Sequence, residues 1–172
     1  GDKPGLLIVG GSLFATGLAK ALEKADVQVL ITDPNRDHLR TARAAGVPVY
    51  YGDILGEAAE NSVEFIAYSA ILAASDNDAY NTLVATDLGP EFGREAIWQV
   101  SRDKEDRARH ALPTQLGGRS INGNRTLAQY LEMLADGWEF RTTRLTEEYT
   151  LEKWREVREG AVPLAAVLNN EL

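Results

Sequence analysis

The sequence contains no cysteine, which excludes disulfides, thiolate zinc sites and a cysteine nucleophile. Its two histidines are too few for a histidine-rich cluster, so we expect no metal site. The uncharged stretch over residues 4–19 is too short for a membrane span and holds four glycines. No signal peptide is visible. We therefore predict no direct membrane insertion, and the lack of cysteine agrees with a reducing cytoplasm.

Positive charge is also in short supply, because 18 basic side chains are set against 26 acidic ones, a formal charge of −8. A protein that grips phosphate backbones needs clustered positive charge, so we expect no nucleic-acid partner. The 172 residues, 44% of them hydrophobic, predict a globular chain of one domain, or one domain with an appendage. Because the sequence begins with Gly1 instead of Met, we interpret it as a domain of a longer protein.

Short apolar runs alternate with amphipathic helical patterns through the first half of the chain. Continuous apolar runs are typical of strands that are buried on both faces, and strands that alternate with helices are joined by right-handed crossovers. The pattern therefore predicts an α/β fold, a Rossmann-like doubly wound parallel sheet. The predicted strands cover residues 6–9, 27–31, 47–51, 70–74 and 96–100.

After the fifth predicted strand the pattern changes, and we place the domain boundary between residues 117 and 118. Residues 1–117 form the predicted nucleotide-binding domain, and residues 118–172 form a small C-terminal α/β appendage. In the appendage we predict a helix that starts at a capping box of Thr126 and Gln129. A strand over 138–145 and a helix over 150–159 are expected to follow it.

The first strand runs into a glycine-rich turn that resembles a phosphate-binding loop. A strand, a Gly-x-Gly-x-x-Gly/Ala turn and a helix bring free backbone N–H groups and the positive end of the helix dipole against a pyrophosphate. Ser12 stands where the second glycine is usual, and its side chain either crowds a phosphate or donates to it. The predicted loop residues are Gly10, Gly11, Ser12, Leu13 and Phe14, before Ala15 at the third glycine position.

A carboxylate ends the second strand, where such folds bind the adenosine ribose. Asp33 is expected to accept hydrogen bonds from both ribose hydroxyls and to disfavour a 2′-phosphate. Pro34, Asn35 and Arg36 follow it, and the positive charge of Arg36 weakens that exclusion. An empty, vestigial site on the same fold stays open as the alternative.

Two further strand ends point to the same crevice, because ligands in such sheets bind beyond the carboxyl ends of the strands. Asp53 and Ile54 follow the third strand, and we expect them beside the adenine. Ala74, Ser75 and Asp76 follow the fourth strand and are expected to line the far end of the site. Asp53 and Asp76 could equally be helix N-caps.

The order of these motifs resembles the TrkA-N (RCK/KTN) nucleotide-binding domain. The motifs that carry the resemblance are the glycine-rich loop, Thr32-Asp33, Gly46-Val47-Pro48-Val49, Gly52-Asp53-Ile54 and an Asp-x-x-Asn formed by Asp78 and Asn81. The segment from Pro90 to Arg94 and the tail from Gly137 to Glu148 are similar to the cytosolic C-terminal region of bacterial sodium/proton antiporters.

The resemblance implies a regulatory domain that is not an enzyme. Such a domain binds NAD(H) or an adenine mononucleotide (AMP or ATP), pairs as a homodimer and passes its ligand state to a transmembrane antiporter domain. It implies a cytoplasmic location at the inner face of the cell membrane. A difference in ligand affinity of about 1–3 kcal/mol between two conformations suffices for such coupling.

Two alternatives remain open. Tyr149 and Lys153 form a Tyr-x-x-x-Lys, which on a helix would place a phenol beside an ammonium group, as in short-chain dehydrogenases that use NAD. The other alternative is an interaction or dimerisation module without a small ligand, in which Trp138, Phe140 and Trp154 form part of the interface.

Overall fold

The structure is a computed structural model, and it describes residues 4–102, 117–121, 124–158, 160–168 and 171–172. The sequence also predicts a solvated linker or helix face over the charged stretch 101–110 and a turn at 122–123. Residues 103–110 and 122–123 lie outside the described residues.

The core of the chain is one six-stranded parallel sheet with the strand order β3-β2-β1-β4-β5-β6. The first strand lies between the second and the fourth, so the chain reverses its direction of travel across the sheet after β3. The predicted fold class is confirmed. The strands are β1 (Gly5–Val9), β2 (Gln28–Asp33), β3 (Val49–Tyr51), β4 (Ala70–Ala73), β5 (Ile97–Gln99) and β6 (Arg119–Ser120).

Helices cover both faces of the sheet. The described residues form α1 (Leu13–Glu23), α2 (Arg40–Ala44), α3 (Glu57–Ser62), α4 (Asp78–Phe92), α5 (Leu127–Ala135) and α6 (Leu151–Val157), with short 3₁₀ turns at Arg36–Leu39, Phe65–Ala67 and Arg94–Ala96. Successive strand residues point to opposite faces. Leu6 and Ile8 of β1 therefore join the core under α1, α2 and α5, whereas Leu7 and Val9 join the core under α3 and α4.

The sixth strand is a finding that the sequence did not predict. Arg119 and Ser120 pair in parallel with Trp98 and Gln99 of β5, although both lie beyond residue 117. Two residues are too few to carry a readable alternation of polar and apolar side chains. Leu127 and Tyr130 of α5 also belong to the core under α1. The first part of residues 118–172 thus packs as a continuation of the sheet.

The expected strand over residues 138–145 is wrong. This segment forms no strand and runs along α1, where the Phe140 ring lies over Gly17 and the Thr142 hydroxyl donates to the Ala21 carbonyl at 2.6 Å. A strand needs a neighbouring strand for its hydrogen bonds. This segment has none among the described residues, and it packs on α1 through the Phe140 ring instead. The later helix is confirmed over Leu151–Val157 and capped by Thr150. None of the described residues after Tyr130 is buried.

Candidate functional site

The predicted site residues meet at the carboxyl ends of the central strands. The turn after β1 and the turn after β4 touch, because a Cβ on Gly10 would lie 2.5 Å from the Cα of Ser75. Gly10 also has a φ of +118°, a region that L side chains rarely adopt. Glycine is therefore required at this position. Both turns lie where the strand order reverses, which is the usual ligand crevice of such sheets.

The first two amides of the loop are engaged within the protein. The Gly10 N–H donates to the Thr32 carbonyl at 2.8 Å, and the Gly11 N–H donates to the Asp33 carboxylate at 2.8 Å. We expected Gly10 and Gly11 to offer these amides to a phosphate, whereas here they hold the loop against β2.

The free donors lie one step further along the chain. Ser12 is the N-cap of α1, and its hydroxyl oxygen accepts from the Ala15 amide at 3.0 Å. Within the described part of the chain, the amides of Ser12, Leu13 and Phe14 donate to no protein acceptor. Three orphan donors at the positive end of an 11-residue helix have the arrangement that is suited to an anion.

Serine fits the second glycine position without backbone strain. Ser12 has φ −170° and ψ 172°, an extended conformation that any residue adopts. The departure from the usual glycine motif is explained by capping, since serine is among the preferred N-cap residues.

The two residues that open α1 point in opposite directions. Leu13 is 59% exposed, whereas Phe14 is 1% exposed and stacks on Tyr130 with ring centroids 4.4 Å apart. Phe140 contributes a second ring at 5.7 Å. Phe14 can therefore meet a ligand only through its amide, while its side chain fixes the start of the helix.

Asp33 holds the loop from the end of β2. Its carboxylate accepts from the Gly11 amide at 2.8 Å, the Asn35 amide at 2.8 Å and the His38 ring at 3.0 Å, and the residue is 4% exposed. A carboxylate offers about four acceptor positions, so this arrangement leaves about one. The expected grip on both ribose hydroxyls stays a prediction that would require one of these partners to move.

His38 is a residue to which the sequence gave no role. It lies in the 3₁₀ turn after β2, and a Cβ on Gly11 would lie 2.3 Å from its carbonyl oxygen. Gly11 is thus needed for the close approach of this turn. The spacing of five residues between Asp33 and His38 belongs to no helical or strand period, so no sequence signal pointed to the pair.

An exposed arginine lies on an exposed tyrosine beside Asp33. The Arg36 guanidinium carbon is 4.9 Å from the centroid of the Tyr51 ring. Tyr51 is 56% exposed and is the register partner of Asp33 in the β2–β3 pair. Pro34 and Asn35 are exposed in the same turn, and the Asn35 side chain caps the Asp37 amide. The sequence missed Tyr51.

The residues after β3 are not arranged as we expected for an adenine site. Ile54 is 2% exposed and packs in the core under α3 and α4, so its side chain does not lie open to a ring. Asp53 accepts from the Tyr80 hydroxyl at 2.6 Å, and burial together with this hydrogen bond raises the pKa of Tyr80. Asp53 is not a helix N-cap, since Gly56 occupies that position before α3.

The turn after β4 is held by Asn81. This side chain is fully buried, accepts from the Ser75 amide at 2.9 Å and donates to the Ser75 carbonyl at 3.0 Å. Asn81, the last residue of the Asp-x-x-Asn motif, thus shapes the turn. Asn77 caps α4, so Asp76 is not the N-cap and stays exposed. Ala74 is fully buried beneath the turn.

Tyr149 lies before the first residue of α6, so Tyr149 and Lys153 do not form the i, i+4 pair of one helix. The Lys153 ammonium donates to the Glu148 carbonyl at 2.7 Å. In the described residues, no three His, Asp or Glu side chains are grouped closely enough to bind a metal. No helix among them has the length and apolarity to span a membrane.

The fold and the loop define a Rossmann-like α/β domain. A TrkA-N domain model matches residues 6–117, about two thirds of the chain, and the chain belongs to that family. The expected family membership is confirmed.

Two solved structures share the fold. The TrkA-N domain of the inner membrane protein ybaL from Escherichia coli aligns with a TM-score of 0.54 and 14% identity, over 77% of this chain and 96% of that one. The NAD(P)-binding domain of an exopolyphosphatase-related protein from Archaeoglobus fulgidus aligns with a TM-score of 0.53 and 14% identity, over 76% of this chain and 93% of that one. No curated protein matches the chain.

Proposed function

We propose that this chain is a cytoplasmic regulatory domain that binds an adenine nucleotide, NAD(H) or AMP/ATP, and controls a monovalent cation/proton antiporter. The observation that carries the nucleotide site is the set of free amides at Ser12, Leu13 and Phe14. They lie at the N-terminus of α1 where the strand order reverses, and a phosphate there meets both orphan donors and the helix dipole.

The rest of the nucleotide follows from the position of the phosphate. The adenosine extends toward the end of β2, where Asp33 and Arg36 lie, and the second half of a dinucleotide extends toward Ser75 and Asp76 after β4. The exposed carboxylate of Asp76 and the hydroxyl of Ser75 are suited to hydrogen bonds with a sugar.

A regulatory role is supported by what α1 contacts. Its first turn offers the amides, and the same turn carries Phe14, which packs on Tyr130 and Phe140 of the C-terminal part. A ligand that shifts α1 therefore shifts the packing of that part as well. The antiporter, the homodimer and the location at the inner face of the membrane are supported by the family and by the likeness to a domain of an inner membrane protein.

One variant removes a single free donor and little else. Proline is tolerated at the first helical position, and the extended conformation of Ser12 suits a residue before proline. Leu13→Pro should weaken binding of NAD⁺ or AMP by about 10- to 100-fold, because a hydrogen bond to a charged group is lost. Leu13→Ala keeps the amide and is the matched control. Isothermal titration measures both.

The same titrations decide against the alternatives. If neither NAD⁺, NADH, AMP nor ATP binds the wild-type chain or raises its Tm, the interaction module without a ligand replaces the proposal. The proposal includes no catalytic residue. Oxidation of NADH by a carbonyl compound that is lost in Tyr149→Phe would contradict that part.

A further inference from the structure

The Asp33 carboxylate is largely covered by other groups of the protein. Its side chain is 5% exposed, whereas the side chain of His38, which contacts the same carboxylate at 3.0 Å, is 36% exposed. The imidazole thus covers the carboxylate on the solvent side, and the Gly11 and Asn35 amides occupy further acceptor positions. Each of these donors takes an acceptor position that a ribose hydroxyl would otherwise use.

The group that faces solvent at this strand end is Arg36. It is exposed, and its guanidinium lies on the ring of Tyr51, which is itself 56% exposed. Because Tyr51 pairs in register with Asp33, this platform of Arg36 and Tyr51 lies directly beside the covered carboxylate. Stacking on the ring limits the conformations of the arginine side chain, so less freedom is lost when a ligand binds.

The charge of Arg36 is not compensated by any residue that the structure describes. Among the described residues no salt bridge involves it, whereas the nearby charges of Asp37 and Arg40 compensate each other at 3.0 Å. A planar guanidinium presents a fork of N–H donors that matches phosphate oxygens in a bidentate way. An uncompensated arginine at the ribose end of a nucleotide site is suited to a second phosphate.

We propose that the site prefers adenosine nucleotides that carry a phosphate on the ribose 2′-oxygen, the NADP(H) class, and that Arg36 on Tyr51 determines this preference. The inference rests on the proposed nucleotide site and narrows its ligand. It reverses the expectation from the sequence that Asp33 disfavours a 2′-phosphate, because the fold covers Asp33 and exposes Arg36.

Two fragments isolate the ribose end of the site. 5′-AMP and adenosine 2′,5′-bisphosphate share the base and the 5′-phosphate that the α1 amides would bind, so they differ only at the 2′ position. In isothermal titration of the full chain we expect the bisphosphate to bind at least about tenfold more tightly than 5′-AMP. NADP⁺ should exceed NAD⁺ by a similar factor.

Arg36→Gln should remove most of this advantage and leave 5′-AMP within about twofold of its wild-type affinity. Arg43→Gln is the matched control, because it removes the same charge from an exposed position in α2 and should preserve the preference. Tyr51→Phe keeps the ring under Arg36 and should resemble the wild type, whereas Tyr51→Ala should lower affinity for the bisphosphate alone. Circular dichroism verifies that each variant is folded.

The outcomes separate the two proposals. If 5′-AMP binds but the bisphosphate binds equally or more weakly, the 2′-phosphate preference is wrong and the nucleotide site stands. If Arg36→Gln and Arg43→Gln reduce bisphosphate binding equally, the effect is one of net charge and the role of Arg36 is wrong. If no adenine nucleotide binds, the proposed function fails together with this inference.

Discussion

The sheet and the C-terminal tail of this chain differ in how they are held. Every residue of β1 and β4 is buried, and each strand packs helices against both of its faces. In the tail, residues 138–172, no described residue is buried. The contrast teaches that the core under α1 joins residues from Leu6 to Tyr130, whereas the tail depends on contacts with that core.

Five large apolar side chains of the tail are exposed. Val157 is 68% exposed and Leu168 is 74% exposed, and Trp138, Leu145 and Leu151 are each close to half exposed. So little burial offsets only a small part of the entropy lost on ordering a chain. The tail is placed by the contacts of Phe140 and Thr142 with α1 and by Leu164, Val167 and Leu172, which are partly buried against the core under α1.

The largest effect should come from the point where the two regions meet. Phe14→Ala removes a ring that is 1% exposed and contacts both Tyr130 and Phe140. We expect the free energy of unfolding to fall by about 3–5 kcal/mol, from lost burial and a residual cavity. Urea denaturation measures it. Leu13→Ala, at the exposed neighbouring position, should change stability by less than about 0.5 kcal/mol. Equal losses would break the contrast between buried and exposed positions in this turn.

The second largest effect tests whether the turn after β4, which lines the crevice, is held as firmly as the buried sheet. Asn81→Ala leaves the Ser75 amide and carbonyl without their partner in a buried setting. We expect a loss of about 1–3 kcal/mol in the free energy of unfolding. Asn61→Ala, which removes an exposed asparagine from α3, is the control and should cost less than about 0.5 kcal/mol. A loss in Asn81→Ala no larger than in the control would mean that the hydrogen bonds of Asn81 with Ser75 do not stabilise the fold.

A double-mutant cycle at Gly17 and Phe140 tests the contact between α1 and the tail. A Cβ on Gly17 would lie 2.5 Å from two atoms of the Phe140 ring, so Gly17→Ala should displace that ring and speed proteolysis of the tail. In a Phe140→Ala background the added methyl meets no ring. There Gly17→Ala should stabilise α1 by about 0.5–1 kcal/mol, through the higher helix propensity of alanine. An identical change in stability in both backgrounds would show that Phe140 does not rest on α1.

The smallest effects should lie in the tail itself. Val157→Ser and Leu168→Ser change side chains that are mostly in solvent, so each should alter the free energy of unfolding by less than about 0.5 kcal/mol. Thermal denaturation of the isolated chain measures this. A drop of more than about 2 kcal/mol in either variant would mean that the tail contributes to the core after all.

Strands β1 to β5 could be predicted because each contains a short apolar run, which residue type alone reveals. The runs of β1 and β4 are buried on both faces, where a continuous apolar run is expected. The capping box of α5 was equally readable, since Thr126 and Gln129 satisfy each other locally. The strand over 138–145 failed because alternation of side chains says nothing about whether a neighbouring strand exists.

The candidate site also contains residues that the sequence predicted and residues that it missed. The sequence identified the glycine-rich turn, Asp33 and the turn after β4, since strand ends and glycines mark them. It misplaced the Ile54 side chain and missed His38, Tyr51 and the buried role of Asn81, because these depend on contacts between turns that are distant along the chain.

By itself the sequence determined the parallel α/β architecture and the edge of the sheet where a ligand would lie, because local periodicity and chain order fix both. Only the tertiary structure decided which atoms at that edge are free. Packing of the turn after β2 over the loop binds the Gly11 amide and covers Asp33, so the open donors are those of Ser12 to Phe14 and the open cation is Arg36. Hydrogen-bond donors and charges are satisfied by whichever group lies nearest in space, and that neighbour is set by the fold and not by the order of residues.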